Sequence, residues 1–231
     1  MKILELLPAA DWLALVCFLT CWVGYALFAR QRSRSRRSIL AATNIYRLRW
    51  MRQAVHRDPR MLDGIITQTL SETPSFFCST TIIIIGGLMA LLGTTDKAAE
   101  LVREIPFAQP TPMLVFEFKI LVLIAIFVYA FFRFSWSMRQ YTFVALMIGA
   151  LPPAQDLIDQ DAQTDHMARK AATMTGLAAE TFNDGLRAYY FSFAAMGWFF
   201  SPLVLVLATG MVVFILFGRE FRSEVLAVLE D

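Results

Sequence analysis

The stretch that decides the fold is ILVLIAIFVYAFFRFSWSMRQYTFVALMIGALPP, residues 120–153. Its first thirteen positions are apolar, and two arginines, Arg133 and Arg139, then flank a tryptophan. Residues 113–134 supply about the ~20 positions that a helix needs to cross a bilayer. Arginines and amphipathic rings settle at the cytoplasmic headgroups. The stretch therefore indicates a membrane span that reaches the inner interface at its arginines.

The helix is predicted to continue past these arginines. No helix breaker occurs before Pro152 and Pro153, so one helix is expected from about residue 113 to 151. At 1.5 Å per residue it would be roughly 57 Å long, more than one hydrocarbon core of ~30 Å. Its last part should project into the cytoplasm or lie along the membrane. The sequence leaves open whether residues 141–151 lie on, in or below the membrane.

Composition places the whole chain among integral membrane proteins. Of its 231 residues, 57% are hydrophobic and 17% are charged, which is more apolar surface than a soluble domain of this size hides. The predicted fold class is all-α, a polytopic membrane protein with four transmembrane helices and cytoplasmic helical extensions. We expect a single membrane domain over residues 1–231, with spans at 11–29, 75–93, 113–134 and 189–217 and a cytoplasmic helical layer at 38–72 and 135–188.

Three features within these windows carry expectations of their own. Pro202 lies in the fourth window, where its missing N–H should bend the helix. Glu117 and Lys119, near the start of the third window, are expected to anchor at the headgroups. Gly86 and Gly87 give the second span a small surface, suited to packing within the chain or to a dimer face.

The connection after the first span sets the predicted orientation. It carries ten arginines from Arg30 to Arg60 and one acid, Asp58, and the positive-inside rule places such a connection in the cytoplasm. With four spans, both termini would lie outside a cell membrane, the bacterial inner membrane being the expected one. Next to a span, these arginines are expected to contact anionic lipid headgroups of the bilayer and not nucleic acid.

A helix is also predicted inside this basic connection. Apolar residues recur there at spacings of four and three, which places them on one stripe of a helix. An Asp-Pro pair shortly afterwards should end the helix, because the residue before a proline is pushed out of the helical region. The stripe consists of Ala41, Ile45, Leu48, Met51 and Val55.

Residues with catalytic or cofactor chemistry are sparse. His56 and His166 both lie outside the predicted spans, so a haem within the bilayer would have no ligands. Cys17 and Cys21 share a helix face, but buried small side chains explain them better than a soft-metal site does. Nucleotide-binding, nucleophile-elbow and zinc-protease motifs are not found. No catalytic, cofactor-binding or metal residue is predicted, and an enzyme is disfavoured.

Four blocks of the sequence, in this order, resemble one known family. They are NIYRLRWMRQAVHRDPRMLDG at 44–64, FFCSTTIIIIGGLMALLG at 76–93, FRFSWSMRQYTF at 132–143 and NDGLRAYYFSFAAMGWF at 183–199. Together they are similar to the domain of unknown function 599 family, multi-span membrane proteins of bacteria and plants. The resemblance covers nearly the whole chain. It supports the topology and implies no assigned activity, substrate or cofactor.

The family pattern picks out residues that lie mostly on the predicted cytoplasmic side. This location favours a structural or recognition layer at the inner interface over a substrate site in the bilayer. Lipid anchoring and hydrogen bonds between helices would explain its Arg and Trp members, and Asp184 is added as the expected acceptor for Arg139. The candidate interface is Arg47, Trp50, Arg60, Asp63, Trp136, Arg139, Tyr141, Asn183, Asp184, Arg187 and Tyr190; the pattern also includes Met51, Gln140 and Gly185.

Three classes of function remain after these exclusions. The first is a non-enzymatic scaffold that forms a homo-oligomer or serves as an accessory subunit of a larger membrane complex. The second is an anion-preferring channel or transporter, which the inner arginines favour and the scarcity of polar residues at mid-span opposes. The third is an enzyme of the membrane interface, for which a nucleophile, base or metal cluster is missing. The sequence does not identify a substrate, an ion, an oligomeric state or a partner protein.

Overall fold

A computed structural model describes residues 7–33, 38–95, 112–157 and 161–230. These residues are helical throughout, with short turns between the helices, so the all-α fold class is confirmed. Four segments among them are long and apolar enough to cross a membrane: Ala9–Arg32, Met61–Leu92, Met113–Gly149 and Pro202–Leu229. The helices are α1 Ala9–Ser33, α2 Ile39–Val55, α3 Met61–Leu92, α4 Met113–Gly149, α5 Asp161–Met196, α6 Pro202–Phe221 and α7 Glu224–Glu230, with 3-10 turns at Ala154–Leu157 and Gly197–Phe199.

Helix α4 confirms the predicted long helix. It is continuous over 37 residues, which is roughly 55 Å at 1.5 Å per residue. It ends just before Pro152 and Pro153, whose rings cannot continue a helix. Because a hydrocarbon core is only ~30 Å thick, α4 is longer than one perpendicular crossing requires.

Helix α3 is longer than predicted. The sequence indicated a span over 75–93 and assigned residues up to 72 to a separate cytoplasmic layer, but one helix runs from Met61 to Leu92 with Pro74 inside it. Proline is tolerated within membrane helices because neighbouring groups compensate for the lost hydrogen bond. Pro74 therefore lies within α3 and does not end it.

The fourth predicted window is divided between two helices instead of being bent. Helix α5 ends at Met196 and α6 begins at Pro202. Proline suits the first position of a helix, where the N–H that it lacks would have no intrahelical partner. The hydroxyl of Ser201 caps the new helix by accepting the backbone N–H of Val204 at 3.2 Å. The span predicted at 189–217 is corrected to one that begins at this proline.

The chain forms two compact units. Unit 1 comprises Met1–Arg30, Thr80–Phe131 and Leu186–Arg219, and unit 2 comprises Gln31–Ser79, Phe132–Gly185 and Glu220–Asp231.

Ring contacts give the helix directions in unit 1. Phe18 of α1 meets Phe191 of α5 edge to face, with ring centroids 5.8 Å apart. Seven residues later on α1, Tyr25 lies under Arg187, which comes earlier on α5. The two helices therefore run antiparallel. Phe28, near the end of α1, contacts Phe217, near the end of α6, so α6 runs in the same direction as α1.

In unit 2, helices α2, α4 and α5 share an apolar core. Met51 and Val55 are buried as the predicted stripe requires, and Leu48 packs beside them. Ile45 does not follow the prediction, because it is 49% exposed. Helix α2 buries two alanines, Ala42 and Ala54, in addition to the stripe, and so turns a slightly different face to its neighbours. The core residues are Met51, Val55, Val144, Ile148, Ala168, Ala171 and Ala172.

The short C-terminal helix α7 packs against α2 within unit 2. The hydroxyl of Tyr46 donates to the backbone carbonyl of Leu229 at 3.5 Å. The sequence analysis expected this segment on the opposite side of a bilayer from the arginine-rich connection that contains α2. The contact does not fit that expectation, because a bilayer would separate the two helices.

Candidate functional site

Asp63, in the first turn of α3, is the acceptor at the centre of a buried polar cluster. Its Oδ1 accepts the indole N–H of Trp50 at 2.8 Å and a guanidinium N–H of Arg57 at 2.6 Å. The carboxylate is 0% exposed, so a paired cation is what makes its burial tolerable. A negative charge is also favoured near a helix N-terminus. The cluster fastens the end of α2 to the start of α3.

Arg60, also from the turn between α2 and α3, binds only backbone oxygens. It donates to the carbonyls of Ala54 and Val55 at 3.2 and 3.1 Å and to those of Leu151 and Pro152 at 3.0 and 2.6 Å. The last carbonyls of a helix have no partner within the helix. Arg60 supplies these partners for α2 and at the same time binds the segment that follows α4.

The predicted partner of Asp184 is wrong. Asp184 of α5 is buried and is paired with Arg133 of α4. Arg139 is exposed, and its guanidinium carbon lies 5.9 Å from the ring centre of Phe143. Positions six apart on a helix point in different directions, since each residue turns by about 100°. Trp136, half exposed, also packs on Phe143, so it shares the exposed face with Arg139.

Gly185 comes directly after Asp184 on α5, and its lack of a side chain allows α4 and α5 to approach closely. A Cβ atom at Gly185 would lie only 2.5 Å from Cε1 of Phe134. The Phe134 ring is fully buried and also contacts the rings of Phe77 and Phe182. Glycine is therefore required at position 185 because the Phe134 ring leaves no room for a Cβ atom, and not because of its backbone conformation.

Arg47 and Tyr141 come together between α2 and α4. Arg47 donates to the side-chain oxygens of Thr43 at 2.7 Å and Asn44 at 2.8 Å. Burial lowers the pKa of the Arg47 guanidinium, and the charge interaction with Tyr141 opposes that shift. Tyr141 is itself buried, Arg47 is half-buried, and both belong to unit 2.

The remaining candidates lie elsewhere. Asn183 is half-buried in unit 2, whereas Arg187 and Tyr190 belong to unit 1. Arg187 is buried with its guanidinium carbon 5.9 Å from the ring centre of Tyr25. The Tyr190 hydroxyl accepts an N–H of Arg219, whose guanidinium carbon lies 5.2 Å from the Tyr190 ring centre. The candidate residues are therefore divided among separate contacts, most of them between helices, and do not line one pocket.

Sequence reasoning missed a buried ionic cluster in unit 1. Lys119 was expected at the headgroups, but it is 4% exposed and donates to the carbonyl of Trp198 at 2.9 Å. Its Nζ lies 3.7 Å from Oδ1 of Asp11, which also accepts the indole N–H of Trp198 at 2.6 Å. The sequence did contain a signal for this cluster. Asp11 lies at the start of the first apolar window, and Lys119 lies near the start of the third. Helices α1 and α4 and the 3-10 turn after α5 meet at these three residues.

Cysteine and metal chemistry add little to this arrangement. Cys17 and Cys21, expected to be buried, are partly exposed with free thiols. Within the described part of the chain, no group of three or more His, Cys, Asp and Glu side chains is placed to hold a metal ion. The charged residues described above bind carboxylates, carbonyls and ring faces, which is the chemistry of helix association.

Comparison with known proteins places the chain in a family. No curated protein and no solved structure matches it. A family model described as "Protein of unknown function, DUF599" matches residues 13–225. The match includes all eleven residues of the candidate interface and confirms the resemblance stated from the sequence blocks. The chain belongs to the DUF599 family.

Proposed function

We propose that the protein is a non-enzymatic membrane protein that assembles with itself, and that α3 is its assembly surface. The observation that carries this proposal is the exposure of α3 in the single chain. Only 6% of its most apolar segment is buried, against 44% for the equivalent segment of α4. A span with so few fully buried residues has a face available for another helix.

The second half of α3 has the surface that helix association in lipid requires. Ile83, Gly86, Gly87 and Ala90 are exposed, and a Cβ atom at either glycine would meet no atom within 4 Å. Lipid chains are as apolar as these side chains, so helices associate in a bilayer through close backbone approach and hydrogen bonds. A second copy would present the same face and form a symmetric pair.

The first half of α3 favours a protein partner for a different reason. Ile65, Gln68 and Glu72 are exposed on it, and the Gln68 amide donates to the Glu72 carboxylate at 3.4 Å. Polar groups that face hydrocarbon are costly because lipid tails offer no hydrogen bonds. A neighbouring helix or water supplies those bonds, so this half of α3 is better placed against a second copy or in water than against lipid.

The bonding of the arginines supports a scaffold over an anion channel. A channel that selects anions needs cationic groups directed into its pore. Arg60 instead donates to four backbone carbonyls, Arg57 to Asp63 and Arg133 to Asp184. These arginines are engaged in joining helices, which is the role expected in a scaffold.

For the orientation we propose a bacterial inner membrane, with the arginine-rich connection in the cytoplasm and the start of α1 outside. The contact between α2 and α7 then favours a cytoplasmic C-terminus, which revises the expectation that both termini lie outside. The parallel directions of α1 and α6 support the same revision. In this orientation the end of α5, which runs antiparallel to α1, forms a short fifth pass in addition to the four long apolar segments.

The assembly is tested by the oligomeric state in mild detergent and by cross-linking in native membranes. Gly86→Leu should shift the wild-type oligomer to monomer, because the side chain separates the two backbones. Gly210→Leu on α6 is the matched control, since that glycine is equally open, and it should leave the oligomer unchanged. A wild-type protein that is monomeric in both settings, or a Gly86→Leu protein that assembles normally, would overturn the proposal.

A further inference from the structure

The exposed face of α3 has the periodicity of a helix that pairs with another helix. Eight positions, separated alternately by four and three residues, are all exposed. This spacing averages about 3.5 residues, the period that keeps two supercoiled helices in contact along their length. We call these positions the α3 seam. They are Ile65, Thr69, Glu72, Phe76, Ser79, Ile83, Gly86 and Ala90.

Glu72 is the charged residue of the α3 seam. Its carboxylate accepts a hydrogen bond from the Gln68 amide at 3.4 Å, one turn earlier on the same helix. In the described part of the chain, no ion pair joins Glu72 to another residue. Asp63, at the start of α3, is by contrast buried and paired with Arg57. Glu72 thus keeps its negative charge exposed at the surface of α3.

The helices that pack on this half of α3 use their charged groups elsewhere. Helices α3 and α4 are antiparallel in unit 2, because Arg60, just before α3, binds the segment just after α4, and Phe77 contacts Phe134 farther along. Glu72 lies five residues before Phe77, and Arg139 lies five residues after Phe134. Arg139 is therefore at the level of Glu72 but does not bind it. The contacts of the charged groups are Arg139 over Phe143, Arg57 with Asp63, Arg133 with Asp184, and Arg52 and Arg169 with Asp165, while Glu180 lines a groove between α5 and α2.

Pairing of two α3 helices brings two of these carboxylates together. Copies inserted in one membrane have the same direction, so their α3 helices pair in parallel. In a symmetric parallel pair, each position of the α3 seam meets the same position of the second copy. Two Glu72 carboxylates then face each other at the axis of the pair. Like charges in one site repel, and two carboxyl groups that share a site hold one proton between them.

We propose that Glu72 of two copies forms a proton-binding site, and that assembly through the α3 seam takes up one proton from water for each pair. The proton forms an O–H on one carboxyl group, which donates to a carboxylate oxygen of the other. The Gln68 amides remain donors to the other oxygens. The inference rests on the assembly proposed above and adds its regulation. Since the assembled state binds more protons than the separate chains, a lower pH favours it.

The dissociation constant of the full-length protein in mild detergent, measured with a chelator present between about pH 8 and about pH 5, tests the site. The wild-type constant should fall as the pH falls, by at most about tenfold per pH unit, which is the slope for one proton per pair. Glu72→Gln removes the charge and keeps the shape, so its constant should not depend on pH. Glu180→Gln is the matched control, because Glu180 is a half-buried glutamate of α5 outside the α3 seam, and it should keep the wild-type pH dependence. Glu72 is exposed in the single chain, so its replacement leaves the interior unchanged.

A mixing experiment at about pH 8 tests whether the two Glu72 positions meet. In pairs of Glu72→Lys with itself, two ammonium groups face each other, whereas a mixed pair with wild type joins a cation to an anion. Equimolar mixtures should therefore form mixed pairs more often than random mixing does. Random mixing would show that the two positions do not meet, and the proton site would then be wrong.

Other outcomes separate this inference from the assembly itself. A wild-type constant that is the same at both pH values, or a pH dependence that persists in Glu72→Gln, would contradict the proton site. Stronger assembly at about pH 8 when Mg²⁺ replaces the chelator would show that the carboxylates hold a cation instead. In each of these cases Gly86→Leu still decides whether α3 is the assembly surface. A wild-type protein that is monomeric at both pH values would refute both proposals.

Discussion

Replacing Gly185 by Ala should destabilise the protein although alanine is the better helix former. The new Cβ atom would lie 2.5, 2.8 and 2.9 Å from three ring carbons of Phe134, and ordinary carbon contacts are about 3.5–4.0 Å. The ring or the helix must therefore move by roughly 1 Å. The ring is held by Phe77 and Phe182. Overpacking of this kind costs about 1–3 kcal/mol, and the helix propensity of alanine returns about 1 kcal/mol.

The difference is a net cost of about 1 kcal/mol, which corresponds to a fall in Tm of roughly 2–4 °C for a chain of this length. Thermal unfolding of the purified protein in one detergent, at one scan rate, measures this change. Gly24→Ala is the matched control, because a Cβ atom there has open space and only the gain in helix propensity remains. Its Tm should rise.

The sign of the Gly185→Ala effect decides whether the reasoning holds. A Tm equal to or above that of the wild type would show that α4 and α5 are not packed as described. A second measurement uses Phe134→Leu, which removes the ring edge that the new Cβ atom meets. In that background Gly185→Ala should cost less than in the wild type, since contacting residues are not additive. Additive effects would contradict direct contact.

Three further predictions concern the charged residues and the topology. Arg133→Ala should lower stability by about 1–3 kcal/mol because it removes the cation that is paired with a buried carboxylate, while Arg139→Ala should lie within about 0.5 kcal/mol of wild type; equal losses in thermal unfolding would contradict the assigned pairing. Arg60→Lys should lower stability nearly as much as Arg60→Ala, since an ammonium group cannot reach four carbonyls as a planar guanidinium does; full retention of Tm by the lysine variant would refute this role. In a cysteine-free background, cysteines near residue 35 and at Ala227 should react with impermeant reagents only after cells are opened, and labelling of the second in intact cells would restore an external C-terminus.

The features that the sequence predicted correctly depend on local information. Helix α4 follows from an apolar run with no breaker, and its end follows from two prolines. Whether a proline starts a helix, as Pro202 does, or lies inside one, as Pro74 does, depends on packing that no local pattern records. The sequence therefore predicted helices and candidate spans well and their exact limits poorly.

The pairing of charged residues depends on contacts that the sequence does not encode locally. Arg133 and Arg139 are both near the predicted interface, and the rotation of α4 about its own axis decides which one meets Asp184. Lys119 is buried only because Asp11 and Trp198 arrive from distant parts of the chain. Spacing along one helix cannot reveal such partners, so the candidate interface was predicted as a set of residues but not as a set of contacts.

The cluster of Asp11, Lys119 and Trp198 has a consequence for the order of biosynthesis. Asp11 and Trp198 are separated by 187 residues, and at about 5–20 residues per second a ribosome needs roughly 10–40 s to add them. Helix α1 therefore enters the membrane long before the indole that binds its aspartate has been made. A chain interrupted before Trp198 cannot complete the cluster, whatever the state of its earlier helices. This bond of the first helix therefore forms only after the indole of Trp198 has been made.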